Sequence, residues 1–188
     1  WHEHTQRPVL VSWLGGEPLM WPALTAVTET FHHELGFAVS TTTNGSTLHF
    51  EAVRRHLIEH YAELTISVDG LAAVHDALRG RSGLFESARR SVMTLASDKQ
   101  HAGRGPVLRP NVVLMRSTIE SFPALCRELA SWGIEEITCN QLGGLDRPEF
   151  FRSNHLLASQ AAQLVTQWPS LQHDLKLLGV NLLGGGGY

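Results

Sequence analysis

The sequence predicts an α/β protein built on a parallel sheet, and three observations lead there. Short β-rich runs alternate with longer helical patterns along the 188 residues. Each run closes on a polar or glycine-bearing stretch. Hydrophobic residues make up 43% of the chain, enough to bury a core at this length. Strands joined through helices pair in parallel by right-handed crossovers. Periodicity alone does not separate an open doubly wound sheet from a partial or complete barrel. Both place function at the C-terminal ends of the strands.

The elements follow in order. "PVLVSWL" (8–14) is short, apolar and β-rich, and Gly15-Gly16-Glu17-Pro18 ends it. Pro22 opens a helix that Gly36 stops. "FAVSTTT" (37–43) is a second strand, closed by Asn44-Gly45, and Ser46 or Thr47 caps the helix through "LHFEAVRRHLIEH". "AELTISV" (62–68) is a third strand, closed by Asp69-Gly70. A broken helical stretch covers 71–79, a longer helix runs from Leu84 to about Leu95, and 98–107 reads as a loop. "PNVVLMR" (110–116) is a fourth strand, followed by a helix over 118–133 with Gly133 beyond its end. "IEEITCNQL" (134–142) is a fifth. Residues 153–167 and about 170–178 read as helices.

Composition narrows the function classes. A formal charge of −3 gives no reason to expect nucleic acid or a membrane surface as partner. No apolar run reaches the roughly 18 residues of a membrane span. No secretory signal opens the chain, which points to the cytoplasm. Cys126 and Cys139 lie in separate elements and read as small buried hydrophobes. Eleven histidines are spread through the sequence, a pattern that suggests no single metal centre. His2-Glu3-His4 has a metal-site spacing but precedes its strand. Arg54-Arg55 and Arg89-Arg90 read as solvated helix faces, and His32, His33, Trp13, Trp21, Phe31 and Phe37 as core or helix-surface positions.

The strand ends carry the functional signal. They read Gly15-Gly16-Glu17-Pro18, Thr42-Thr43-Asn44-Gly45, Ser67-Val68-Asp69-Gly70, Arg116-Ser117 and Asn140-Gln141-Leu142-Gly143-Gly144. Taken singly, each is a plausible turn. In order they resemble the radical S-adenosylmethionine (radical SAM) enzymes, whose strands end in GGEP, TTNG and SVDG, the last followed by HDxxRG. Here His75-Asp76-Ala77-Leu78-Arg79-Gly80 fits that pattern. The likeness covers residues 8–150 and is greatest to the peptide- and protein-modifying (SPASM-like) branch.

The resemblance implies a partial (β/α)6 TIM-like barrel of parallel strands with its first β/α unit missing. It makes 1–150 the barrel core and 151–188 C-terminal helices with a linker to a further region. It implies S-adenosylmethionine as cofactor and, in a full-length parent, a [4Fe–4S] cluster. Together these generate a 5′-deoxyadenosyl radical that abstracts hydrogen from a small-molecule or peptide substrate, with a flavodoxin or ferredoxin as electron donor. The cluster's Cys-x3-Cys-x2-Cys loop is absent from this chain. The 14 residues before Gly15 are too few for the first strand, its loop and its helix, so the chain reads as a fragment, inactive alone.

Cofactor contacts carry over by position. Gly15, Gly16, Glu17 and Pro18 meet the methionine ammonium, with Glu17 either accepting from it or bracing the loop. Thr43 and Asn44 face cofactor or substrate, or form only an Asn-Gly turn. Ser67 contacts the cofactor's carboxylate or ribose. Asp69 either caps the following helix or touches ligand. Arg79 pairs with the methionine carboxylate, or with Asp76 on its own helix. Leu142 packs on the adenine. No catalytic acid or base stands out. Two other classes stay open: a (β/α)-barrel metal-dependent hydrolase or lyase using Glu17, Asp69 and a histidine, and a degenerate, non-catalytic binding module.

Overall fold

The computed structural model describes residues 7–144 and 146–184. Its strands are β1 (Leu10–Trp13), β2 (Ala38–Thr43), β3 (Glu63–Ser67), β4 (Val107–Leu114), β5 (Glu136–Gln141) and β6 (Asn181–Leu182). They run parallel in the order β1-β2-β3-β4-β5-β6. The helices are α1 (Leu24–Glu29), α2 (Glu51–His60), α3 (Ala72–Arg79), α4 (Leu84–Ala102), α5 (Phe122–Ala130), α6 (Pro148–Asn154) and α7 (Ala158–Leu177). The α/β class and the five expected strands are present. The short β6, pairing Asn181 with Glu136 and Leu182 with Ile137, is an addition.

The chain divides into two compact units. Unit one holds residues up to Ser67 together with Ser87–Leu108; unit two holds Val68–Glu86 and everything from Arg109. In unit one, Val39, Leu57, Leu64, Ile66, Val92 and Leu95 are fully buried. Trp13 Nε1 donates to Thr28 Oγ1 at 3.1 Å, and Thr28 Oγ1 bonds the Tyr61 hydroxyl at 3.1 Å. Trp13 also stands edge-on to Phe31, with centroids 5.5 Å apart. In unit two the core gathers on α5, where Phe122, Leu125, Cys126 and Leu129 form one buried helical stripe. Trp132, Ile137 and Leu175 complete it.

Several elements differ from their sequence expectations for local reasons. Helix α2 begins at Glu51 without a side-chain cap. The side chain of Asn44 takes the Ser46 N–H at 2.8 Å, and the chain makes further turns before the helix starts. Residues 71–79 contain an unbroken helix, stopped by Gly80 at φ 70°. Helix α4 continues to Ala102, replacing the first half of the expected loop, and Asp98 on it holds Arg54 Nε at 2.6 Å. Arg54 also donates to the carbonyls of Leu48 and His49, so it ties α2 to α4 instead of lying solvated. Strand β4 starts at Val107, whose N–H bonds the Ala62 carbonyl at 2.8 Å. Helix α7 continues through Pro169, which has no N–H to bond the carbonyl of the exposed Val165.

The strands alternate more than buried parallel strands usually do. In unit one the register puts Ser12, Ser40 and Glu63, and then Thr42 and Thr65, side by side on one polar face. Val39, Thr41, Thr43, Leu64 and Ile66 lie on the other, fully buried face. In unit two, Pro110, Val112, Leu114 and Ile137 are buried, while Arg109 donates to Glu136 at 2.6 Å on the opposite face. Asn111 Oδ1 there accepts from Thr138 Oγ1 at 3.1 Å and from Asn140 Nδ2 at 2.9 Å.

Candidate functional site

In unit one, the C-terminal ends of β1 and β2 are joined by a single carboxylate. Past Trp13 the chain turns through Gly15 (φ 92°) and Gly16 (φ 51°), a conformation that favours glycine at both positions. A Cβ on either would meet nothing within 4 Å, so open space lies over this backbone. Among the described residues, no hydrogen bond engages the main chain of Gly15 or Gly16. Glu17 follows in extended conformation, and its side chain folds back to the neighbouring strand end. Oε1 accepts from Thr43 Oγ1 at 2.7 Å, and Oε2 accepts from the Asn44 N–H at 2.7 Å. Thr43 Oγ1 in turn accepts from the Gly45 N–H at 3.0 Å. Pro18 is buried and opens a short 3-10 turn, Pro18–Met20. Of the two roles open to Glu17, the geometry shows the brace. Charge-assisted bonds of this length are strong. Ser67 closes β3, half-buried, and its hydroxyl has no partner among the described residues.

In unit two, Asp69 and Arg79 form a second constellation. Arg79 Nε donates to Asp69 Oδ2 at 2.7 Å. The Asp69 N–H donates to Nδ1 of His75, which is buried. Asp69 therefore does not cap α3, whose N-cap is Leu71 without a side-chain bond. Gly70 permits the tight approach of α3, since a Cβ there would stand 2.9 Å from Val74 Cγ1. The alternative Arg79–Asp76 pair is not made: Arg79 takes Asp69. Asp76 instead accepts from the N–H groups of Gly83 and Phe85, capping α4. Those bonds hold its carboxyl below the usual range. The Asp69–Arg79 stretch is thus one folded device, with Asp69, His75 and Arg79 interlocked.

His75 is a site residue that sequence reasoning quoted within its motif but did not single out. Its Nδ1 accepts, so its proton sits on Nε2. Burial lowers its pKa below the ordinary 6.5, and Arg79 reinforces this while Asp69 and Asp76 oppose it. A group with a lowered folded pKa stabilises the fold above its unfolded value and loses that contribution as pH falls through the folded one. Thermal midpoints measured from pH 8 to pH 5 should therefore drop below about 6.5. Part of that slope should disappear in His75→Gln. An unchanged slope would remove His75 from the lock.

The remaining strand ends separate by role. Arg116, after β4, donates its main-chain N–H to the Asn154 carbonyl at 2.8 Å and Nε to that of His155 at 3.3 Å. It satisfies the end of α6 and so acts as a structural residue. Leu142, after β5, lines an open cavity of about 460 Å³ with Gly143, Gly144, Asp146, Arg147 and Phe150. Cys126 and Cys139 are free thiols. Burial pushes both up, Cys139 to about 11. His2-Glu3-His4 lies outside the described residues.

No protein-family model matches this sequence, and no curated protein matches it. Solved structures do match. SuiB of Streptococcus suis bound to S-adenosylmethionine superposes with a TM-score of 0.69 at 17% identity, over 93% of this chain and 39% of SuiB. A domain of a pyruvate-formate lyase-activating enzyme from Bacteroides vulgatus gives 0.64 at 15% identity, over 92% of this chain and 96% of that domain. The fold is the radical SAM partial barrel. A third radical SAM structure, anSMEcpe with bound AdoMet and the Cp18Cys peptide, matches with a TM-score of 0.67 at 16% identity. It is covered to 50% of its length by 92% of this chain. The chain thus spans about two fifths of SuiB and half of anSMEcpe.

Proposed function

We propose that this chain supplies the S-adenosylmethionine-binding core of a radical SAM enzyme that acts on a peptide. One observation carries the reading: the Glu17 carboxylate braces an open Gly15-Gly16 loop whose main-chain groups have no hydrogen-bond partner among the described residues. Such a loop offers carbonyls to an ammonium without a Cβ in the way. Glu17, Pro18, Thr43 and Asn44 hold it in shape. Ser67 presents a hydroxyl. Unit two carries candidate contacts of its own: Arg79, anchored through Nε on Asp69, keeps its terminal nitrogens for a carboxylate, and Leu142 offers an apolar surface for an adenine. When bound, S-adenosylmethionine brings the sulfonium whose carbon–sulfur bond this enzyme class breaks.

The peptide substrate draws support from structural neighbours. SuiB has been solved with its precursor peptide SuiA, and anSMEcpe with Cp18Cys peptide. The polar faces of the strands suit main-chain hydrogen bonding to such a substrate. The cysteines present do not fit a [4Fe–4S] cluster. Only two exist, on α5 and β5, Cys126 buried and Cys139 half-buried, both with raised pKa values, against three thiolates on one loop in the cluster motif. No step is derived through a cluster. Glu17 and Asp69, the carboxylates of the alternative hydrolase reading, each accept charge-assisted or hydroxyl hydrogen bonds within their own units.

Calorimetric titration of the 188-residue chain with S-adenosylmethionine tests the proposal. One molecule should bind per chain. Arg79→Ala should weaken binding about tenfold or more, the scale of a lost charge-assisted contact. The exposed Arg90→Ala should leave it unchanged. Absence of binding to the unaltered chain would overturn the reading.

A further inference from the structure

Four histidines from two separate segments of the sequence meet at one place in unit one. His56 and His60 stand one turn apart on α2 and share a face. Their ring centroids are 4.7 Å apart. His32 and His33, in a π-helical turn Thr30–Glu34, bring their rings within 5.6 and 5.1 Å of His60. Turns of this kind recur at functional sites. Glu29, the last residue of α1, adds a carboxylate. One ligand atom each from Glu29, His56 and His60 lies within 4.8 Å of the others.

The cluster also contains two orphaned atoms. His56 Nε2 and His60 Nδ1 are buried without a hydrogen-bond partner among the described residues. Buried polar atoms are nearly always paired, so two such nitrogens in one cluster call for a missing partner. That partner is not S-adenosylmethionine. His60 lies just ahead of β3, at the opposite end of that strand from Ser67.

We propose that Glu29, His56 and His60 bind a divalent transition-metal ion of the zinc type, with water completing the coordination. Two imidazoles and a carboxylate form a known donor set for such an ion. Donors in a tetrahedral zinc site lie roughly 3.4 Å apart at bond lengths of about 2.0–2.1 Å. Metal entry therefore draws the three side chains together, and Glu29, exposed, is free to turn inward. Glu59 Oε2 stands 3.7 Å from His60 Nε2, where a carboxylate can orient the ring. A bound ion would tie α1 to α2 and stabilise the fold by linkage.

Cobalt(II) titration of the 188-residue chain, stripped with chelator, tests the site through its visible ligand-field absorbance. One equivalent should bind, zinc should displace it, and zinc should raise the thermal midpoint. Glu29→Gln changes only an exposed side chain, and circular dichroism would verify its fold. That variant and His56→Gln should each weaken binding about tenfold or more. His101→Gln, an exposed histidine on α4, should leave it unchanged. Equal affinity in the unaltered chain and in a His56→Gln/His60→Gln double variant would overturn the site. So would equal weakening by His101→Gln, the mark of non-specific histidine binding. Neither result depends on whether the chain binds S-adenosylmethionine.

Discussion

Replacing Glu17 with alanine should lower S-adenosylmethionine affinity at least tenfold and cost stability as well. The carboxylate accepts two hydrogen bonds at 2.7 Å, from Thr43 Oγ1 and the Asn44 N–H. Bonds to a charged group contribute roughly 1.5–3 kcal/mol each. Their loss frees the end of β1 from the end of β2, and Gly15 and Gly16, with no side chains of their own to pack, lose their fixed path. A loop that must be ordered on binding carries an entropy cost that the braced loop does not. Glu17→Gln should fall between the two. Its amide oxygen can still accept from Thr43, but its NH2 would face the Asn44 N–H, donor against donor. Calorimetry on the three proteins, with thermal midpoints alongside, checks the order. Unaltered affinity in Glu17→Ala would show that the brace does not shape the binding loop.

The largest effect on stability should come from Trp132→Ala. Trp132 is 1% exposed, stands edge-on to Phe85 with centroids 5.2 Å apart, and donates its indole N–H to Glu128 Oε1 at 3.1 Å. Emptying such a position typically costs about 3–5 kcal/mol, transfer and cavity together. For a chain of this size that corresponds to a fall in midpoint of the order of 10 °C. The damage should reach the functional groups of unit two. Phe85, which loses its partner, belongs to the turn capped by Asp76, and its ring centroid is also 6.0 Å from that of His75. Trp132→Phe should recover most of the loss. Chemical denaturation of the three proteins measures it, and a cost below about 1 kcal/mol would show that the site collapses around the gap.

Much of this molecule was legible in its residues. The β-rich runs placed five strands, because Gly-rich and Asn-Gly exits punctuate them. The strand-end motifs located Glu17, Thr43, Asn44, Asp69 and Arg79 where the structure has them. What those groups bond to was not legible. Nothing in the spacing of Glu17 and Thr43 says that their side chains meet, because parallel register sets that contact and a whole helix intervenes. Arg79 had two carboxylates within reach in sequence, and the choice of Asp69 over Asp76 follows from Asp76 being taken by the start of α4. Helix ends failed where polar side chains competed for main-chain groups, as Asn44 does for Ser46. The gathering of His32, His33, His56 and His60 was hidden for a further reason: they converge from two segments that only packing brings together.

The Glu17 brace also sets how freely its surroundings can vary over evolution. At position 44 the bond to the carboxylate comes from the main chain, so it survives any residue there except proline. The asparagine side chain serves only the local turn to Ser46. At position 43 the bond comes from a hydroxyl that also accepts from Gly45, and only serine could replace threonine without breaking both. Two adjacent positions, equally near the same carboxylate, therefore carry very different mutational freedom: one is open to drift, the other confined to two amino acids.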